Sequence, residues 1–100
     1  MEEQFVRTGL LLGEDGVECL KRAKVLVFGI GGVGGFTVEA LARAGVGHFL
    51  LVDKDKVSVS NINRQIIAVW DTVGQDKTQA MKARIRSINP NAQVETRACF

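Results

Sequence analysis

The chain has 100 residues, 46% of them apolar, with 13 basic against 11 acidic side chains for a formal net charge of +2. That composition excludes a disordered polar chain and fits one domain with a modest core, while the charge neither demands nor excludes a nucleic-acid partner. No apolar run approaches membrane-spanning length, and the start Met1-Glu2-Glu3-Gln4 lacks the basic and apolar regions of a signal peptide, so the expected location is cytoplasmic with no membrane partner.

In chain order, Phe5, Leu10, Leu11 and Leu12 are apolar but irregularly spaced, with Arg7 among them. Residues 1–23 therefore read as an N-terminal arm and a short helix, the helix running from Glu14 to Arg22 with Val17 and Leu20 inward and Lys21 and Arg22 at its C-terminal end. Val25 to Phe28 is a short apolar run of the kind buried on both faces of a parallel sheet. It leads into Gly29, Gly31 and Gly34, which fit G-x-G-x-x-G, with Gly32 between them. A turn of this kind needs backbone angles and close approaches that other residues resist, and it aims a helix N-terminus at an anion. The expected ligand is a nucleotide phosphate.

The helix that follows runs from Val33 to Ala44, placing Val38, Leu41 and Ala42 on one face and pairing Glu39 with Arg43 on the other, before Gly45 stops it. His48 to Val52 is a second strand with Asp53 at its end. A carboxylate there is placed to accept hydrogen bonds from ribose hydroxyls, and a solvated strand-end aspartate is the plain alternative. Residues 53 to 74 predict no regular structure, and a loop that long is usually functional.

Within that loop, Ser60-Asn61-Ile62-Asn63-Arg64-Gln65 either solvates a turn or brings Asn61 and the planar guanidinium of Arg64 to the phosphates. Asp76 can cap a helix running to Ile88, with Met81, Ile85 and Ile88 inward, and Asn89-Pro90-Asn91 ends it. Lys77, in the first turn, opposes the helix dipole, an objection that a nearby phosphate would remove; a solvated side chain tolerating the cost is the alternative. A third strand spans Gln93 to Phe100. His48, Trp70, Met81 and Phe36 read as packing, and Cys19 and Cys99 match no metal-ligand or redox spacing and read as reduced thiols.

The order βαβαβ is one mononucleotide-binding half of a Rossmann-like α/β fold with a doubly wound parallel sheet, over residues 24–100. Since the chain ends within an apolar strand, it is expected to be the N-terminal part of a longer enzyme. A nicotinamide-dependent oxidoreductase and a catalytically silent interaction module remain open alternatives. Arg64 and Lys77 discriminate against the former, because hydride transfer has no need of a basic pair around a triphosphate.

Gly29-x-Gly31-Gly32-x-Gly34, Val52-Asp53-x-Asp55, Ser60-Asn61-x-Asn63-Arg64-Gln65, Gly74-Gln75-x-Lys77 and Ile88-Asn89-Pro90 together resemble the ThiF/MoeB/HesA superfamily in order and spacing, over almost the whole chain. Arg7-Thr8-x-Leu10-Leu11-Leu12-Gly13, the Glu39–Arg43 segment and Asn61-Ile62-Asn63-Arg64-Gln65-Ile66 look most like its tRNA threonylcarbamoyladenosine dehydratase branch. The resemblance implies ATP-dependent adenylation of a carboxylate with Mg²⁺, in that branch on tRNA. The alternative acceptor is a ubiquitin-like sulfur-carrier protein of the molybdopterin or thiamine pathway.

It also implies that Gly29, Gly31, Gly32, Gly34, Asp53, Asp55, Asn61, Arg64, Gln65 and Lys77 bind the nucleotide, with Arg64 and Lys77 acting catalytically. Arg7 matches an arginine that reaches into the partner's site in dimeric relatives, so a homodimer is implied as well. The family's metal-binding aspartate and any reactive cysteine would lie beyond Phe100. Gly35 departs from the branch, which usually carries serine there, and the change removes a hydroxyl available for capping.

Overall fold

The computed structural model describes residues 2–99; the last strand ends at Arg97 instead of continuing through Ala98 and Cys99 as expected, and Phe100 lies outside the described residues. Three strands, β1 (Lys24–Phe28), β2 (His48–Val52) and β3 (Gln93–Arg97), pair in parallel in the order β1-β2-β3. Helices α2 (Gly32–Ala44) and α3 (Lys77–Ile88) make the two crossovers, as the alternating pattern predicts. The fold class read from the sequence, Rossmann-like α/β with a parallel sheet, is the one observed.

The register sets Lys24 opposite His48 and His48 opposite Gln93. Val25, Phe49 and Val94 therefore share one row, and with Val27 and Leu51 they join Ile30, Val38, Ala42, Met81 and Ile85 in the core beneath α2 and α3. The other face is different. Leu26 and Phe28 remain 53% and 64% exposed, so β1 is not buried on both faces as its apolar run predicts. Both crossover helices pack on the same side, and only a second layer would cover the opposite side.

The N-terminal segment also departs from expectation. The helix over Glu14–Arg22 is present, but Val6 to Leu12 is helical too, and α1 (Val6–Arg22) is broken only at Gly13, where φ is +77°. Leu10 and Leu11 are 84% and 86% exposed, so this turn of helix shows no buried stripe from which periodicity can be read. The end of α1 docks through the main chain. Gly47 N donates to Leu20 O at 3.3 Å, and a Cβ at position 47 would lie 2.0 Å from Lys21 O.

Between β2 and α3 the chain carries only two single 3-10 turns, Val59–Asn61 and Trp70–Thr72. Gly45 ends α2 as predicted, with φ of +107° and its N–H shared between Leu41 O and Ala42 O. Asp76 precedes α3 without making a side-chain cap bond, and its carboxylate instead meets Lys56 Nζ at 3.5 Å.

Glu39 ties α2 to α3. It accepts Arg43 Nε at 2.9 Å, as the spacing predicts, and also Arg84 Nε and Nη2 at 2.8 Å each from α3. The Arg84 hydrogen bonds hold the Glu39 carboxyl at about 2, below its ordinary 4.5, against burial, which acts the other way; Arg43 adds to the lowering. A carboxyl with a depressed folded-state pKa contributes stability above its unfolded value and loses it as pH falls toward the folded one. Arg84→Ala is therefore expected to cost about 1–2 kcal/mol at pH 7, allowing for the partly solvated guanidinium. That cost should shrink between pH 4.5 and 2. Urea denaturation across this range checks it, and an equal penalty at both ends would refute the assignment.

Candidate functional site

The bend after β1 needs glycine for two reasons, a positive φ at Gly29 and Gly32 and a close backbone approach at Gly34. Gly29 takes φ of +87°, and its N–H donates to Val52 O at 2.9 Å. A Cβ on Gly34 would sit 2.1 Å from Gly29 O, so α2 can begin this close to the strand only with hydrogen at that position. Gly31 is the N-cap, extended at φ −74° and ψ 170°, without a side-chain cap bond. The first amides of α2 consequently face outward with no intrahelical acceptor, at the positive end of the helix dipole. Gly35 lies within α2, past the cap, and a Cβ there would be 2.8 Å from Ile30 O, so no capping position is lost at this residue.

Asp53, 6% exposed, closes the bend from the end of β2. Its Oδ2 accepts the N–H of Ile30 and its Oδ1 that of Asp55, each at 2.8 Å. Asp55 itself is exposed, and its carbonyl accepts the Lys77 N–H at 3.0 Å, which fixes the start of α3 beside the strand end. Lys77 is only 7% exposed, and no ion pair to it occurs among the described residues. The stem of Lys77 is sheltered while its ammonium, which makes no hydrogen bond or ion pair among the described residues, still reaches solvent, so the alternative of a solvated lysine holds for the charged end only. Next to it Thr78 is fully buried, with a hydroxyl that has no partner. A threonine early in a helix is too ordinary for the sequence to mark it.

The polar loop reaches the bend through Gln65. A Cβ built on Gly31 would lie 2.8 Å from Gln65 Nε2, so the carboxamide rests against that glycine, while Gln65 Oε1 is buried without a partner. Asn61 is buried, and its Oδ1 is engaged by the N–H of Ser58 at 2.9 Å, which shapes the loop from inside. Arg64 is exposed, with Nη1 donating to Ser60 O at 2.9 Å and Asn63 Oδ1 at 3.0 Å, leaving the rest of the guanidinium to solvent.

The structure thus links Gly29 to Gly34, Asp53, Asp55, Gln65 and Lys77 by direct contacts, with Asn61 and Arg64 on the adjoining loop. Arg7 stands apart. It is exposed on α1, and among the described residues no hydrogen bond or ion pair joins it to the bend. No group of three or more His, Cys, Asp or Glu side chains among the described residues could hold a metal ion. A cavity of about 440 Å³ lined by Glu2, Phe5, Glu18, Lys21 and His48 opens at the amino ends of the strands. Ligands of open α/β sheets bind at the carboxyl ends, and the predicted residues gather there.

Comparison with known proteins agrees with this geometry. A model described as the ThiF family matches residues 5–99. The tRNA threonylcarbamoyladenosine dehydratase of Bacillus subtilis is 55% identical over 94 residues, covering 94% of this chain and 37% of that protein. The sulfur carrier protein adenylyltransferase of Thermus thermophilus is 40% identical over 84 residues, covering 84% of this chain and 31% of that protein. The crystal structure of Escherichia coli tRNA N6-threonylcarbamoyladenosine dehydratase in complex with ATP superposes with a TM-score of 0.95 at 45% identity, over 98% of this chain and 40% of that one. The chain spans about a third of the length of these curated relatives.

The bend separates its glycines energetically. Gly34→Ala forces backbone atoms apart and should cost roughly 3 kcal/mol or more. Gly32, at φ +40° with nothing within 4 Å of a Cβ, should cost about 1–2 kcal/mol as alanine, from backbone strain alone. Chemical denaturation of the two variants measures the difference, and equal costs would mean the close approach is not the constraint.

Proposed function

The chain belongs to the ThiF family, and from that premise we propose that it is the ATP-binding part of an enzyme that activates a carboxylate by adenylation. In this reading residues 1–23 are the N-terminal arm and helix and residues 24–100 the first half of a larger nucleotide-binding domain. A carboxylate oxygen attacks the α-phosphorus of ATP, the bond to the β-phosphate oxygen breaks, and pyrophosphate leaves an acyl adenylate. Charge builds on the phosphoryl oxygens during that step. Donors fixed before the reaction are the most effective way to meet it. The amides of Gly31 and Gly32 and the ammonium of Lys77 supply them, Arg64 adds a planar fork from the loop, and Asp53 and Asp55 lie on the ribose side.

The observation that carries the reading is Lys77, whose stem is buried and whose backbone is anchored to the strand end, with no carboxylate paired to its ammonium among the described residues. An anionic ligand would supply the missing charge. Mg²⁺ has no ligand cluster among the described residues; it commonly keeps several waters and takes one or two carboxylates together with nucleotide phosphates, so it belongs to this proposal as a companion of ATP. The acceptor we favour is the threonylcarbamoyl carboxylate of modified adenosine in tRNA, which closes into a ring with net loss of water. The identity to the Bacillus subtilis dehydratase supports it. A ubiquitin-like sulfur-carrier protein is the second reading, supported by the Thermus thermophilus adenylyltransferase. A cytoplasmic homodimer in which Arg7 completes the neighbouring site is part of the same proposal, and no described helix is long and apolar enough to cross a membrane.

Lys77→Ala in the intact enzyme is expected to lower ATP–pyrophosphate exchange by roughly 10²–10³-fold. Melting of the variant without nucleotide should show that it remains folded, since the ammonium makes no ion pair among the described residues. Retained exchange would sink the assignment, and so would thermal stabilisation of the wild type by NAD in preference to ATP. For the acceptor, mass spectrometry of tRNA from a deletion strain should show the uncyclised nucleoside accumulating. Persistence of the cyclic form would move the acceptor to a carrier protein.

A further inference from the structure

Asp53 sits where a carboxylate is expected to hold ribose hydroxyls, yet each of its oxygens is already engaged by the protein. Oδ2 takes the N–H of Ile30, inside the glycine bend, and Oδ1 takes that of Asp55, two residues along the loop, both at 2.8 Å. Ile30 is fully buried and Asp53 nearly so, which removes water as a competing partner and makes these charge-assisted bonds strong. The peptide held by Oδ2 lies one residue before Gly31, whose N–H begins the donor row at the head of α2. The peptide held by Oδ1 belongs to the residue whose carbonyl accepts the Lys77 N–H. One carboxylate therefore grips both walls of the site.

We propose that Asp53 is a positioning residue that clasps the glycine bend to the start of α3, setting the amide donors and Lys77 at a fixed separation before nucleotide arrives. The clasp acts through backbone, so it works whether or not ribose also touches the same oxygens. Gln65 adds a contact to the same bend, its carboxamide lying against Gly31. The bend after β1 and the loop after β2 meet at this carboxylate, and the head of α3 joins them one step away through the Asp55 carbonyl. This inference rests on the ATP reading for its functional meaning, but its structural content stands without it.

Asparagine is the informative substitution. Its carboxamide keeps one acceptor and turns an NH₂ donor toward the second N–H, so one of the two bonds must break. In the intact enzyme Asp53→Asn is expected to speed hydrogen exchange of the Ile30 or Asp55 amide in the absence of nucleotide, by roughly 10- to 100-fold for loss of a bond to a charged group. ATP–pyrophosphate exchange should fall by the same factor with ATP, 2′-deoxy-ATP and 3′-deoxy-ATP. Asp53→Glu provides the second arm, because it retains a carboxylate for ribose but displaces it from both amides; the clasp requires it to behave like asparagine. Unchanged amide exchange in Asp53→Asn overturns the proposal, as does a defect that vanishes with the deoxy nucleotides or is rescued by glutamate. Absence of any ATP effect in the wild type would instead refute the nucleotide reading, and the amide exchange without nucleotide would still decide the clasp.

Discussion

The gap between the Gly29 carbonyl and the backbone of Gly34 is the constraint from which the rest of the arrangement follows. A methyl at position 34 would lie 2.1 Å from that oxygen, so the chain can turn from β1 into α2 at this distance only with hydrogen there. Because the turn is this tight, the helix axis starts close against the sheet and its first amides emerge at the carboxyl ends of β1 and β2. The same closeness brings Ile30 beneath the bend as a fully buried anchor. Everything assigned to the site, from Asp53 to Lys77, is placed relative to that turn.

An anion site lined by an aspartate looks contradictory, since a carboxylate near a triphosphate repels it. The hydrogen bonds resolve this. With Ile30 and Asp55 amides on its two oxygens, the Asp53 charge is partly met by the backbone before any ligand arrives. Lys77 presents the opposite situation, a cation on a buried stem with no ion pair among the described residues. One acidic group is satisfied by the fold and one basic group carries no ion pair among the described residues, and the proposed nucleotide site draws on that asymmetry.

How much of this could be read from the amino acids depends on how local each signal is. The glycine spacing, the stop at Gly45, the Glu39–Arg43 pair and the inward Met81 and Ile85 all act within a turn or two, and each appears where its pattern places it. Arg84 on Glu39 was invisible, because nothing in a single sequence links residues on two separate helices. The helical state of Val6 to Leu12 was hidden for another reason: its leucines are largely exposed, and a helix without a buried stripe has no hydrophobic period. Burial of β1 was overestimated because an apolar run reports what a strand tolerates on both sides, not how many layers are present to cover it. At the site, the sequence marked Asp53, Gln65 and Lys77 as chemically interesting, while the backbone partners of Asp53 and the shelter of Lys77 depend on the loop's path.

The meeting of α1 with the start of β2 has a different kind of consequence. There the contact is main chain on main chain, Gly47 N–H to Leu20 O, with the Lys21 carbonyl where any side chain at position 47 would have to go. Such a junction stores its specificity in an absence of atoms rather than in a matched pair of side chains. The outward residues of the helix end, Lys21 and Arg22 among them, are thereby released from structural duty and free to vary with whatever surrounds the molecule. Position 47 admits that approach only as glycine, while the Leu20 side chain packs against the core beside it.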